Sequence, residues 1–285
     1  MHLLFDFVLN PDVMLALARE DAEPLAEGLR SQPGLPNGGQ WATFLRNHDE
    51  LDLSRLSVDQ RADVFAAFGP DESMQLYGRG LRRRLAPMLG NDRARLELAY
   101  SLQFSLPGTP VLRHGEEIGM GDDLSLPGRD AFRTPMQWDS TVNGGFSTAS
   151  PELLVRPVIS DGPYGTESVN VMRQRTDRDS LLAWFTRLIS VRRECPEIGG
   201  GTVSLVDVST PRSVLVHRLD APSGSLVLLH NLASSDTVVD LPGLAKDGAV
   251  QEMFASAACL DDLPDDLVGV TLPGYGYRWI RLLEP

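Results

Sequence analysis

Lysine is almost absent from this 285-residue chain: Lys246 stands alone, and arginine supplies nearly all of the 26 basic residues. We read that bias as the codon usage of a GC-rich genome, not as chemistry. Positive charge is short overall, because 39 acids leave a net charge of −13. That excludes a general nucleic-acid or anionic-membrane binder, which needs a basic face. It fits a soluble protein with a neutral or cationic partner. Cysteine is scarce, and Cys195 and Cys259 show no C-x-x-C spacing, so both read as buried or half-buried free thiols. No apolar stretch approaches the length of a membrane span. The opening Met1-His2-Leu3-Leu4-Phe5-Asp6 has no basic segment, and Asp6 interrupts its apolar run. It does not read as a signal peptide, and the expected compartment is the cytoplasm. Hydrophobic residues make up 42% of the chain, enough for a real core, so disorder is excluded. The length suits one large domain or two ordinary ones.

The hydrophobic pattern changes character once along the chain. Leu3–Leu9 reads as a strand entered almost at once. Asn10-Pro11-Asp12 reads as a helix start, with a proline at the first helical position, and the helix is expected to run to about Arg30 with a disturbance near Pro24. Trp41–Arg46 is the next strand. Ser57 and Gln60 fit a capping box for a helix through Phe68, and Asn91-Asp92 opens another that carries Leu96, Tyr100 and Phe104 at helical spacing. Pro110–His114 is a third strand. Gly115 to Thr176 holds no long periodic segment, and a connection of that length in a compact domain is usually functional. A helix over Ser180–Glu194 follows. From there, strand-like runs recur at 203–208, 213–219, 225–231, 237–241, 250–254, 268–272 and 275–282, with Gly, Pro and Asp between them. That spacing predicts an antiparallel β-sandwich, with a domain boundary near Gly199 that divides 1–199 from 200–285. The first part amounts to three βα units of parallel sheet. Three units do not close an eight-stranded barrel, so either the sheet is open and differently covered or five units precede it.

Three motifs carry chemistry. Asn47-His48-Asp49-Glu50 directly follows the apolar run Trp41 to Leu45, where the end of a barrel strand presents side chains to an active site. Gly108-Thr109-Pro110-Val111-Leu112 runs into Gly115-Glu116-Glu117-Ile118-Gly119, and Arg133-Thr134-Pro135-Met136-Gln137-Trp138 comes after it. Together and in this order they resemble the α-amylase superfamily of retaining glycosidases and transglycosidases. Leu81-Arg82-Arg83-Arg84-Leu85-Ala86-Pro87, Asn91-Asp92-Arg93, Pro163-Tyr164-Gly165 and Val169-Asn170-Val171 are similar to its trehalose synthase branch, which isomerises maltose to trehalose.

The resemblance implies a fold and a set of roles. The fold is α/β plus all-β: the last three βα units (strands 6 to 8) of a (β/α)8 TIM barrel, followed by a C-terminal antiparallel β-sandwich. Asp49 would be the third catalytic carboxylate, stabilising an oxocarbenium-like transition state. His48 would hydrogen-bond the same sugar ring, and Arg133 would reach back into that substrate-binding subsite and pair with a carboxylate, with Asn47 and Glu117 structural beside them. A neutral sugar is held by such directional hydrogen bonds, having no charge to grip. Retaining chemistry also needs a nucleophile and a general acid roughly 5 Å apart. In the family both lie on the fourth and fifth strands, ahead of Met1. The implied substrates are maltose, trehalose or another α-glucoside, and the implied partner is a preceding half, encoded separately or in the same frame. No cofactor is expected within this chain, while a calcium site fits in the preceding half. One departure stands out: Arg113-His114 replaces the aromatic pair that usually follows the eighth strand.

Each residue also has a plainer reading. His48-Asp49 alone would be an N-cap aspartate beside a satisfied histidine; the companion motifs favour a sugar subsite. Glu116-Glu117 reads as structural before catalytic. Arg133 reads as a subsite contact before a loop anchor. Arg82-Arg83-Arg84 reads as a solvated helix face with one salt-bridged member before an anion site. His114, His217 and His230 are isolated in sequence, which disfavours metal ligation. Trp184 and Phe185 read as packing. Two hypotheses result: half of an enzyme that rearranges or hydrolyses α-glucosides, or a non-catalytic truncated or split-gene product.

Overall fold

The structure is a computed structural model and describes residues 2–36, 38–206, 210–245 and 249–283. Strand β1 (Leu3–Phe5) leads to helices α1 (Asn10–Arg19) and α2 (Glu23–Ser31). The strand ends at Phe5 and not at Leu9 because the buried Asp6 carboxylate accepts the Leu9 N–H at 2.9 Å and the Gln32 amide at 2.6 Å. That turn redirects the remaining apolar residues. The single helix expected through Arg30 is two helices. Glu20, in the left-handed region at φ 53°, ends α1, and Pro24 sits in the first turn of α2, where its missing N–H has no helical partner to lose.

Strand β2 (Gln40–Thr43) is followed by β3 (Leu51–Asp52) and α3 (Val58–Phe68). The capping box is formed: the Ser57 hydroxyl accepts the Gln60 N–H at 3.2 Å, and the Ser57 N–H donates to the Gln60 side chain at 2.9 Å. Then come β4 (Gln75–Leu76), β5 (Gly80–Leu81), α4 (Leu85–Met88), α5 (Arg93–Ser105) and β6 (Thr109–Pro110). The pairings are β1 with β2 and β2 with β6, all parallel, as expected for consecutive βα units. β6 is shorter than the expected Pro110–His114. The antiparallel sheet β3-β5-β4 was not expected at all.

The long connection holds only 3₁₀ turns before α6 (Val171–Thr176), which the Asn170 side chain caps by accepting the Arg173 N–H at 2.7 Å. Helix α7 (Leu181–Glu194) is where periodicity put it, and a short α8 (Pro196–Gly200) was missed. Strands β7 (Thr202–Leu205), β8 (Val214–Ala221), β9 (Gly224–Asn231), β10 (Thr237–Val239), β11 (Val250–Ala255), β12 (Val270–Leu272) and β13 (Tyr277–Leu282) complete the chain. Of the run expected over 203–208, residues 207 and 208 lie outside the described residues.

The chain folds as two compact units: Met1–Phe44, Glu97–Val111 and Leu188–Pro285 form one, Leu45–Leu96 and Leu112–Arg187 the other. In the first, five antiparallel strands run in the order β11-β13-β9-β8-β7, beside a second sheet β10-β12. Their shared core takes Val214, Val216, Val227, Leu229 and Ile280 from the larger sheet and Val239, Val270 and Leu272 from the smaller. Alternate residues of the larger sheet, His217, Leu228, His230, Tyr277 and Trp279, point the other way and are fully buried. They meet α5, whose Ser101 hydroxyl lies 2.9 Å from both His230 Nε2 and Trp279 Nε1. Cys195 is buried and Cys259 half-buried, both as free thiols.

In the second unit, Ile118, Met120, Met136 and Val169 make a local core. Trp184 and Phe185 are buried edge-to-face at 5.1 Å. No helix among the described residues is long and apolar enough to cross a membrane.

Candidate active site

The second unit assembles the motif residues, beginning at Leu45. Asn47 bends the chain by accepting the Asp49 N–H on its side-chain oxygen at 2.8 Å, a local Asx turn. This turn sets His48 and Asp49 outward, with 75% and 38% of their side chains exposed. Buried Arg46 backs the turn, donating to the Asp49 carbonyl at 3.0 Å and to the Arg83 carbonyl at 2.7 Å.

Arg133 arrives from the long connection. It ends the 3₁₀ turn Gly128–Phe132 and binds the turn twice, through Nε to the His48 carbonyl at 2.7 Å and through Nη2 to Asp49 Oδ1 at 2.9 Å. His48 Nε2 is 3.6 Å from Asp49 Oδ2. The structure therefore brings Asn47, His48, Asp49 and Arg133 together. It adds Arg129, which sequence reasoning missed: Nη1 lies 3.1 Å from Asp49 Oδ1 and Nε donates to Glu50 at 2.7 Å. The bond to Glu50 pushes the Arg129 guanidinium above its ordinary value. The missed signal was an arginine four residues before Arg133, within one turn.

Glu117 lies in the 3₁₀ turn Glu116–Ile118 between Gly115 and Gly119. Both glycines have positive φ, 88° and 71°, and a Cβ on Gly115 would come within 2.3 Å of the Met120 sulfur. Burial pushes the Glu117 carboxyl up, and one of its oxygens is buried without a partner. The other nearby acids are engaged: Glu116 with Arg84 at 3.2 Å, Asp122 with Arg83 at 2.9 Å, and Glu50 with Arg129.

The arginine run departs from expectation. Arg82, Arg83 and Arg84 are not on a solvated helix face: they bridge β5 to α4 in non-helical backbone. Arg82 donates to the Leu124 and Leu126 carbonyls, Arg83 pairs with Asp122, and Arg84 is fully buried against Glu116 and the His114 carbonyl. The run fastens the long connection to this unit.

Arg113 is buried too. It donates to the Phe132 carbonyl and lies over the Phe132 ring at 5.4 Å, a position that Arg46 shares. Burial pushes Arg113 down to about 9 and Arg46 down to about 10. His114 is pushed down by burial, with the Arg84 and Arg113 charges adding to the effect. It lines a cavity of about 670 Å³ with Glu117, Arg133, Met136, Trp138 and Phe146. Asp49 does not line this cavity; Arg133 forms its border with the Asp49 turn. Among the described residues, no group of three or more His, Cys, Asp or Glu side chains is placed to hold a metal ion.

The α-amylase catalytic-domain family model matches residues 81–201. The trehalose synthase of Pimelobacter sp. (strain R48) is 39% identical over 292 residues, covering 100% of this chain and 50% of the relative. A trehalose synthase/amylase of Mycolicibacterium smegmatis is 38% identical, covering 100% of this chain and 49% of its own length. Among solved structures, an alpha-amylase from H. orenii superposes with a TM-score of 0.71 at 20% identity, over 99% of this chain and 49% of that one. The chain thus spans about half the length of the curated relatives it matches. The chain is similar to α-amylase family proteins along its whole length.

Proposed function

We propose that this chain is the C-terminal portion of a trehalose synthase-like enzyme, with Asp49 as the carboxylate that stabilises the glucosyl transition state. The observation that carries this reading is the grip of Arg133 on Asp49 at 2.9 Å, one turn after Asn47-His48. A guanidinium fork fixes a carboxylate in one orientation, which suits hydrogen bonds to adjacent hydroxyls of a neutral ring. His48, exposed beside it, is the second sugar contact. Asn47 and Glu117 hold backbone and are not reactive groups.

In this reading β1, β2 and β6 are the sixth to eighth strands of a barrel, residues 1–199 are its second part, and 200–285 are a separate β-sandwich domain. The preceding half, encoded in frame or separately, supplies the nucleophile and the general acid. The acid protonates O4 of the leaving glucose as the nucleophile bonds to C1. The freed glucose then reorients, and its anomeric hydroxyl attacks C1 while the same acid, now a base, takes that proton. Maltose becomes trehalose with no net gain or loss of water. Asp49 and Arg133 act on charge that builds at the ring in both steps. No metal or cofactor enters at these residues; a calcium ion would belong to the preceding half. The compartment is cytoplasmic, and the partners are the α-glucoside and that half, with neither nucleic acid nor membrane.

Hydrolysis is the second reading, favoured by the relative whose name pairs synthase with amylase. The test is co-expression of the chain with a preceding half from a trehalose synthase, followed by a maltose assay that separates trehalose from free glucose. Asp49→Asn is expected to lower kcat by at least about a hundredfold. Unchanged kcat with a raised KM would leave only ground-state binding. Glucose as the main product would move the assignment to a hydrolase.

A further inference from the structure

Two arginines grip one oxygen of Asp49, and the reading above uses only Arg133. We infer that Arg129 is a positioning residue for Asp49, held in place by Glu50 and by the ring of Tyr77; this rests on the role given to Asp49 above. Its guanidinium spans two acids with two different nitrogens, Nε on Glu50 at 2.7 Å and Nη1 on Asp49 at 3.1 Å. The Glu50 side chain is 5% exposed and that of Asp49 38%. Arg129 is thus anchored on the buried acid and reaches the exposed one.

A third contact closes the bridge. The guanidinium carbon lies 5.9 Å from the centre of the Tyr77 ring, within the range of cation–π attraction. Tyr77 and Gly78 form the tip of the β4–β5 hairpin, both at positive φ, 57° and 63°, as a type I′ turn requires. Glycine or asparagine is the usual choice at such a position. A tyrosine there puts a large ring over the guanidinium at some conformational cost. On the other side, Arg156 pairs with Asp130 at 2.7 Å and pins the turn that carries Arg129.

The bridge has a defined consequence. Asp49 Oδ1 is taken by Arg129 and Arg133, so its carboxylate plane is fixed and Oδ2 is left toward His48 at 3.6 Å. Two cations then face the two acids Asp49 and Glu50, which leaves the cluster without excess charge, as a neutral sugar prefers. Without Arg129 the carboxylate keeps one tether and gains rotational freedom. Lysine does not replace it, since one ammonium does not span both acids in this geometry.

The test uses the complex of this chain with a preceding half, with sites counted by active-site titration so that folded fraction drops out. Arg129→Gln and Arg129→Lys are each expected to lower kcat on maltose at least about tenfold with KM within about twofold, the pattern of a lost transition-state contact. Glu50→Gln should do the same, and the double variant Glu50→Gln/Arg129→Gln should be no worse than either single variant, because both break one bridge. Tyr77→Phe keeps the ring and should restore wild-type turnover, whereas Tyr77→Ala should not. Wild-type kcat in Arg129→Lys, or additive losses in the double variant, overturns the inference.

A second readout separates this inference from the glucoside reading. With nitrogen-15 arginine in this chain, the Arg129 Nε–H signal is assigned by its loss in Arg129→Lys. It should shift in both Glu50→Gln and Asp49→Asn. If the wild-type complex has no turnover, the glucoside reading fails, and this spectrum still decides the bridge. A shift in Glu50→Gln alone means that Arg129 does not hold Asp49.

Discussion

Acid should weaken the first unit between pH 6.5 and 4, and His217 supplies a part of that loss that one substitution isolates. His217 on β8 is fully buried, its Nε2 3.3 Å from the Ser105 carbonyl and its Nδ1 without a partner. Its ring stacks on His230 at 5.9 Å and 13°. Burial pushes His217 down to about 4 and His230 well below its ordinary value. The sign follows from linkage. An unfolded histidine binds a proton near pH 6.5 and the folded one does not until about pH 4, so stability is full above 6.5 and falls as pH drops. At pH 4.5 the loss from His217 is about 2.5 kcal/mol, from 1.36 kcal/mol per pKa unit less the fraction already protonated in the fold. His217→Leu removes that titration and forfeits one hydrogen bond, about 1 kcal/mol at neutral pH. The wild type should therefore be the more stable at pH 7.5 and the less stable at pH 4.5. Urea midpoints read by tryptophan fluorescence test this, since Trp279 lies fully buried in the same layer. Parallel losses in the two proteins would show that the His217 imidazole is not an acid-sensitive group of this unit.

Three further outcomes are expected. Arg133→Lys should cut turnover of the completed enzyme about tenfold or more, because one ammonium does not hold the His48 carbonyl and Asp49 together; wild-type kinetics would place Arg133 outside the subsite. Gly108→Ala should destabilise the chain by about 3 kcal/mol, since φ is 114° there and a Cβ would stand 2.4 Å from the Trp41 carbonyl oxygen; a urea-derived loss under about 1 kcal/mol contradicts this. Limited proteolysis should release a fragment beginning near Gly201, and cuts confined to the sandwich strands would argue against a boundary there.

Local chemistry was legible wherever the sequence itself closed the interaction. The Ser57 capping box joins partners three residues apart, and the helix disturbance expected near Pro24 falls just before it, at Glu20. The elements that were missed depend on distant partners. Strand β5 forms against Leu51 and Asp52, thirty residues upstream, and its two-residue length leaves no period to read. The run Leu3–Leu9 misled for a related reason: its apolar pattern continues past Phe5, but the Gln32 amide holds Asp6 in a turn that only the folded chain forms.

The site divides along the same line. Asn47 to Glu50 is one contiguous motif, so its chemistry could be read in order. Arg133 lies 84 residues from Asp49 and was placed beside it by resemblance alone, whereas the 2.9 Å contact is a property of the fold. Arg129 had no motif to announce it, because its value lies in meeting two adjacent acids at once. The Arg82 to Arg84 run failed in the opposite sense: three consecutive charges suggested solvent, yet each had a partner waiting in the long connection. Charge in sequence therefore predicted little here until its counter-charges were located. The −13 balance hides a second unit in which arginines are the structural ties, each holding one of the acids Asp122, Glu116, Glu50 and Asp49 in place.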